Sequence, residues 1–205
     1  PDFAPVRDSV RLAAVREQYQ IPSTYIISVG TLQPRKNLTR LIDALAALVN
    51  QGRAIHLVIA GKKGWLYEPL FAYVQQQGLE EHLSFTGYVP QEDLPVLISG
   101  ARAFVLPSLY EGFGLPVLEA MACGTPVICS NVSSLPEVAG DAAILVDPHD
   151  TAQFVQALCH VLDDDELYRE LVQRGLRQVM RFSWKKCAQE TLEILEAVGK
   201  TLQRV

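Results

Sequence analysis

Two glutamates, Glu111 and Glu119, stand eight positions apart around the loop Gly112-Phe113-Gly114-Leu115-Pro116. The loop runs straight into a helix, and Pro116 is a favoured residue for a first helical turn. No Ser, Thr, Asp or Asn lies between Gly112 and Leu115 to cap that helix. Its first backbone N–H groups therefore lack acceptors unless a ligand supplies them, and the helix dipole favours an anion there. The chemistry on offer is phosphate binding by the Gly112, Phe113, Gly114 and Leu115 segment, with a carboxylate on each side. Glu119 lies about one turn into the helix, close to the preceding loop, where it can accept both hydroxyls of a ribose. Glu111 lies at the mouth, where it can hold a sugar hydroxyl. The plainer alternative makes Glu111 a surface loop residue, Glu119 an exposed helix position, and Phe113 and Leu115 packing residues only.

A second group of candidates lies upstream in Gly30-Thr31-Leu32-Gln33-Pro34-Arg35-Lys36-Asn37. Asn37 suits the N-cap of the helix that follows. Arg35 and Lys36 then stand just before a helix N-terminus, whose dipole disfavours cations. Something negative resolves that conflict, and a diphosphate is the natural candidate. Arg35 can fork two oxygens and Lys36 adds a point charge. Taken alone, the same residues fit a solvated loop with two surface cations. Gly61-Lys62-Lys63-Gly64-Trp65 fits a contact to a base or ribose and a surface turn about equally well.

These loops need elements to hold them, and the chain supplies an alternation. Short apolar runs at Tyr25–Val29, Ile55–Ile59, Leu83–Thr86, Ala103–Leu106, Pro126–Cys129 and Ala143–Val146 read as buried strands. Between and after them, helices are expected at Leu38–Asn50, Glu68–Gln77, Glu92–Ser99, Leu115–Cys123, Thr151–Leu162, Glu166–Arg181 and Trp184–Leu202. An opening helix over Ser9–Tyr19, capped by Asp8, turns Val10, Ala13, Ala14 and Val15 inward. The alternation predicts an α/β domain: a doubly wound, Rossmann-like parallel sheet of about six strands, with ligands at the carboxyl ends of the strands. The candidate loops all follow strands.

Composition sets the outer bounds. The chain has 205 residues, 49% apolar and 20% charged, enough for one well-cored domain or at most two small ones. A net charge of −5 argues against a general nucleic-acid footprint, while leaving room for a local basic pocket. No apolar run approaches the roughly 20 residues of a membrane span, and no secretory signal opens the chain. Cys123, Cys129, Cys159 and Cys187 form no CxxC pair and are expected to be free, mostly buried thiols of a reducing compartment. His56, His82, His149 and His160 are scattered without metal-ligand spacing, and His149 reads as part of a solvated turn. Asp163-Asp164-Asp165 lies in a late interhelical turn and is read as helix capping, with Asp165 or a neighbour as cap, and not as a metal site. Trp184 is expected to be a packing residue at the start of the last helix.

Val29-Gly30-Thr31, Arg35-Lys36-Asn37, Pro107-Ser108, the Glu111 to Val127 segment and Leu135-Pro136-Glu137-Val138 together resemble the retaining glycosyltransferases of the GT-B fold, in the large group 1 family. The resemblance runs over essentially the whole chain. It implies the C-terminal, nucleotide-sugar-binding half of a two-domain enzyme. Residues 1–22 would then be an interdomain linker and lead-in helix, 23–182 the donor-binding domain, and 183–205 a helix bracing an N-terminal Rossmann-like domain absent from this sequence. On the family pattern, Lys36 and a neighbouring arginine neutralise the diphosphate leaving group, and the Gly112–Leu115 amides hold diphosphate and sugar. Glu119 takes the ribose, Glu111 sits beside the transferred sugar, and Gly87, Tyr88 and Val89 form the base-binding edge. Gly30, Thr31, Gly61 and Lys62 complete the donor set. Many family members carry an arginine where Thr31 stands here, so Arg35 is expected to supply that charge.

The implied donor is GDP-mannose or a UDP-sugar, the acceptor a saccharide or lipid-linked saccharide, and no metal is required. The implied location is cytoplasmic, with the absent half able to sit at the inner face of the membrane. Two other readings compete. An NAD-type oxidoreductase needs Gly-x-Gly-x-x-Gly after the first strand, where Gly30-Thr31-Leu32 stands instead. A non-catalytic nucleotide-binding or interaction module would share the pocket and lack the reaction.

Overall fold

A computed structural model of the chain describes residues 3–202. Six parallel strands form one sheet: β1 (Ile26–Val29), β2 (Leu57–Ala60), β3 (Leu83–Gly87), β4 (Ala103–Leu106), β5 (Val127–Ser130) and β6 (Ala143–Val146). Their order across the sheet is β3-β2-β1-β4-β5-β6. The order reverses between β1 and β4, the switch point at which open α/β sheets hold ligands in a crevice at the carboxyl ends of the strands. The loop from β1 carries Arg35 and Lys36, and the loop from β4 carries Glu111 to Gly114.

Nine helices complete the described residues: α1 (Ser9–Gln18), α2 (Leu38–Asn50), α3 (Glu68–Gln76), α4 (Leu94–Gly100), α5 (Leu115–Ala122), α6 (Leu135–Ala139), α7 (Thr151–Asp163), α8 (Asp165–Val179) and α9 (Trp184–Leu202). Helices on both faces cover the sheet and divide the core into two. One half joins α4, α5 and α6 to the side chains of Ile27, Phe104 and Cys129. The other joins α2, α3 and α7 to Ile26, Val105 and Ile128. Alternate strand residues feed opposite halves, as the two-residue period of a strand requires. In α2, Leu38, Leu41, Ile42, Leu45 and Leu48 are buried along one stripe with helical spacing.

The lead-in segment is docked on this frame. Phe3 and Val6 pack against the first core half, and the Val6 amide donates to Ser99 Oγ at 3.0 Å. Asp8 caps α1 as expected, accepting from the Val10 and Arg11 amides. The inward face of α1 differs from the expected one. Val15 is buried and Leu12 and Tyr19 pack on the core, whereas Val10 is 76% exposed and Ala13 and Ala14 face solvent. The i, i+3 and i+7 spacing of Leu12, Val15 and Tyr19 makes a narrow stripe in a largely polar helix, and Tyr19 anchors it by donating its hydroxyl to Asp93.

At the other end, α9 buries no side chain among its described residues. Trp184 is 77% exposed, against the expectation that it packs, and Leu192, Ile194, Leu195 and Val198 are exposed too. The helix is amphipathic, and these apolar side chains are not covered by the described domain. The ends of the first and last expected segments, residues 1–2 and 203–205, lie outside the described residues.

Candidate functional site

After β1 the chain passes Gly30 and makes a 3-10 turn over Pro34–Lys36 before α2 begins. Asn37, expected as the N-cap of α2, makes no side-chain cap. Its backbone is left-handed (φ 53°), and its amide nitrogen donates to the carbonyls of Pro107 at 3.0 Å and Pro148 at 2.8 Å. Asn37 thus ties the loops after β4 and β6 to the start of α2, which fixes the crevice instead of closing the helix end. The neighbouring Leu109 amide donates to the Arg35 carbonyl at 2.9 Å, a second tie between the β1 and β4 loops.

The ties bring three charges together. Lys36 Nζ lies 2.7 Å from Glu111 Oε1, and Arg35 Nη1 lies 2.9 Å from Glu111 Oε2. Ser108, fully buried, donates its hydroxyl to Glu111 Oε1 at 2.6 Å. Lys36 and Glu111 are 8% and 7% exposed, so this is a buried ion pair, whereas Arg35 is about one third exposed. Burial works to raise the Glu111 pKa, but hydrogen bonds from Lys36, Ser108 and Arg35 together outweigh it and hold the carboxyl below its ordinary value. The conflict between two cations and a helix N-terminus is therefore resolved inside the chain by Glu111. That corrects the expected placement of Glu111 at the mouth of the site: its carboxylate turns inward onto the cations, because the buried Lys36, with Arg35 beside it, needs a near counter-charge.

The loop beyond Glu111 is held by the segment after β5. The Glu111 amide donates to Ser133 Oγ at 3.0 Å, and Ser134 Oγ lies 2.9 Å from the Glu111 carbonyl and 2.7 Å from the Phe113 carbonyl. Ser133 has a positive φ of 52°, uncommon for a residue with a side chain. Gly114 opens α5 at φ 104°, a left-handed backbone that favours glycine, and a Cβ there would also press on the Leu135 side chain, with Cδ2 at 2.8 Å. As the sequence predicts, α5 has no side-chain cap, and Pro116 lies in its first turn. Among the described residues, the amides of Gly112, Phe113, Gly114 and Leu115 donate to no protein acceptor. Glu119 is half-buried in α5, and among the described residues its carboxylate accepts no hydrogen bond. Burial alone pushes its pKa up.

The remaining candidates line the same carboxyl rim on the β2 and β3 side. The Gly61 amide donates to the Gly87 carbonyl at 2.8 Å, and a Cβ on Gly61 would stand 1.9 Å from the Gly30 carbonyl oxygen. The ends of β1, β2 and β3 can meet only with glycine at that place. Lys62 Nζ lies 4.5 Å above the ring of Tyr88, which is 62% exposed. Val89 is buried beneath it, and Thr31 is exposed. The Trp65 indole donates to Gln33 Oε1 at 2.9 Å and remains 59% exposed, so the Gly61–Trp65 turn is fastened to the loop that carries Arg35.

In the sequence Ser108 enters only as part of the family pattern, without a role, and Ser133 and Ser134 are not singled out at all. Serines are frequent, and nothing in their spacing marks them; only the nearness of β4 and β5 shows what they hold. Elsewhere the expectations stand differently. Asp164 caps α8 through the Glu166 and Leu167 amides, while Asp163 and Asp165 pair with Arg53 and Arg102. Among the described residues, no three His, Cys, Asp or Glu side chains gather as a metal-binding group. The four cysteines are free, but only Cys123 and Cys129 are buried, with Cys159 partly and Cys187 fully exposed. No described helix is long and apolar enough to cross a membrane. A buried lysine, an arginine about one third exposed and an uncapped helix start lie on the loops after β1 and β4, a set of groups that can receive an anion.

Known proteins share this architecture. Residues 14–178 match the family model "Glycosyl transferases group 1". The chain is 42% identical over 193 residues to the O-antigen chain mannosyltransferase B of Escherichia coli, covering 93% of this chain and 50% of that protein. The structure of sucrose-phosphate synthase from Thermosynechococcus elongatus superposes with a TM-score of 0.82 at 30% identity, over 97% of this chain and 50% of the other. The C-terminal domain of a group 1 family glycosyl transferase (LpcC) from Francisella tularensis superposes with a TM-score of 0.75 at 26% identity, over 88% of this chain and 95% of that one. The chain thus spans about half the length of the full-length relatives it matches, and nearly all of an isolated domain. It belongs to the group 1 glycosyl transferases and corresponds to the C-terminal domain of a GT-B enzyme of that family.

Proposed function

We propose that this chain is the donor-binding half of a retaining glycosyltransferase that moves a hexose from a nucleoside diphosphate sugar to a saccharide or lipid-linked acceptor. The observation that carries the reading is the pairing, beside the switch point of the sheet, of Lys36 and Arg35 with Glu111, in the loop that leads into the uncapped start of α5. In glycosyl transfer the bond between the anomeric carbon and the diphosphate oxygen breaks, leaving negative charge on the diphosphate and positive charge on the sugar. Pre-placed cations and amides that match the departing diphosphate lower that barrier, commonly by a few kcal/mol for each group. Lys36 and Arg35 supply the charge, and the Gly112–Leu115 amides supply donors. With two cations and a helix dipole on the leaving group, the reading needs no metal.

Glu119 faces the ribose in this reading: a half-buried carboxylate with no protein donor is suited to accept two hydroxyls. Gly30, Thr31, Gly61, Lys62, Tyr88 and Val89 border the nucleoside. Because the O-antigen relative is a mannosyltransferase by name, GDP-mannose is the first donor to try and a UDP-sugar the second. The acceptor is held by an N-terminal half, and the exposed apolar side of α9 is free to brace it. This chain alone then binds nucleotide without appreciable transfer.

Calorimetric titration with GDP, UDP and ADP tests the reading. At least one nucleotide should bind, and Lys36→Ala should weaken it by roughly 1.5–3 kcal/mol, the range for a hydrogen bond to a charged group. Unchanged affinity in a folded Lys36→Ala protein removes the phosphate assignment.

A further inference from the structure

We propose that Glu111 is a built-in counter-ion for Lys36 and Arg35 which an incoming diphosphate must displace, and that Ser108 is the positioning residue that sets how firmly it is held. The inference rests on the diphosphate reading above. It concerns the side chain that occupies the cations before the donor arrives.

The geometry is that of a stand-in anion. Both Glu111 oxygens are engaged: Oε1 by Lys36 Nζ at 2.7 Å and Ser108 Oγ at 2.6 Å, Oε2 by Arg35 Nη1 at 2.9 Å. These cations are the ones a diphosphate would use. A phosphate oxygen hydrogen-bonded to Lys36 beside an unmoved Glu111 would set two anions against each other in a site with little water, where like charges repel far more than in solution. One of them has to yield.

The surroundings show which part can move. The Glu111 backbone is fixed on both sides, its amide by Ser133 and its carbonyl by Ser134, and its carboxylate is held separately, by Lys36, Arg35 and Ser108. A change of rotamer can therefore release the carboxylate without disturbing the loop or the α5 amides behind it. Ser108 is fully buried, and the only hydrogen bond of its hydroxyl among the described residues goes to this carboxylate. Arg35, about one third exposed, is the side from which the anion can enter. Once released, Glu111 is free to turn toward the sugar, the place the family resemblance implies for it. The exchange also works in reverse. When the sugar leaves, the nucleoside diphosphate remains, and the return of Glu111 to Lys36 and Arg35 helps expel it.

Titration of this chain with GDP and UDP, alongside Ser108→Ala, Glu111→Gln and Lys36→Ala proteins, tests the inference, with circular dichroism melts to establish that each is folded. Removing the counter-ion or its anchor should favour the nucleotide. Ser108→Ala should bind about three- to tenfold more tightly than the parent, part of the worth of one charged hydrogen bond, and Glu111→Gln tighter still. Binding by the parent, lost in Lys36→Ala but equal or weaker in Ser108→Ala, leaves the phosphate site standing and overturns the counter-ion. Absence of binding by the parent overturns both. Should Glu111→Gln fail to fold, Ser108→Ala decides, since it removes one buried oxygen from a small side chain.

Discussion

The two ends of the Glu111–Glu119 segment put the same carboxylate into opposite situations. At the loop end Glu111 is buried with a lysine, an arginine and a serine, and its pKa is lowered. In the second turn of α5, Glu119 is half-buried with no protein donor among the described residues, and its pKa is raised. One acid is satisfied by the chain, and the other has no hydrogen-bond partner among the described residues. Desolvation acts on both, so the hydrogen bonds and the nearby positive charge that only Glu111 has separate them. A side chain that the fold leaves unsatisfied at some cost is a better pointer to a ligand contact than one it satisfies.

The comparison can be broken most forcefully at Lys36. Lys36→Ala removes the buried partner of Glu111 and should destabilise the chain by about 3 kcal/mol, toward the low end for an orphaned buried ion because Arg35 and Ser108 remain. Urea unfolding measures it, and a loss below about 0.5 kcal/mol would mean that the pair is solvated. The next effect is in acid. Glu111 has a lowered folded pKa, so its contribution to stability is fully present above its unfolded value of about 4.3 and disappears as pH falls through the folded value. Urea midpoints between about pH 2 and 5 should show this slope in the parent and a shallower one in Glu111→Gln.

Glu119 gives the smallest effect, and with the reverse sign. Its folded pKa is raised, so ionisation opposes folding, and stability is lost as pH rises from the unfolded pKa through the folded one. Glu119→Gln should therefore stabilise the nucleotide-free chain near neutral pH, by about 0.5 kcal/mol, while weakening nucleotide binding. A variant that is both less stable and equally good at binding would reverse the assignment of roles at the two ends.

Much of the frame was legible in the residues. The strands at Ala103–Leu106 and Ala143–Val146 and the helix at Leu38–Asn50 fall where the sequence places them, because short apolar runs and a strong helical stripe are flanked by Gly or Pro. The five-residue helix α6 is too short to show a period. The inward face of α1 was misjudged because a mostly polar helix with a three-residue stripe offers several faces of similar apolarity. In the site, the types were readable and the pairings were not. Lys36 and Glu111 are 75 positions apart, and no spacing rule joins them. They meet because β1 and β4 are neighbours in the sheet, a fact of strand order that local pattern does not contain. Asn37 shows the same gap: its type suggests a cap, yet its amide serves the carbonyls of Pro107 and Pro148, far along the chain.

The most direct measurement is a crystal structure of this chain with GDP, or with UDP if that binds more tightly. The account predicts the diphosphate within hydrogen-bond distance of Lys36 Nζ and of amides in the Gly112–Leu115 segment, the ribose hydroxyls on Glu119, and the Glu111 carboxylate turned off Lys36. A diphosphate elsewhere, for instance in the roughly 430 Å³ cleft beside Arg11 and Glu92 with the Lys36–Glu111 pair intact, would contradict it.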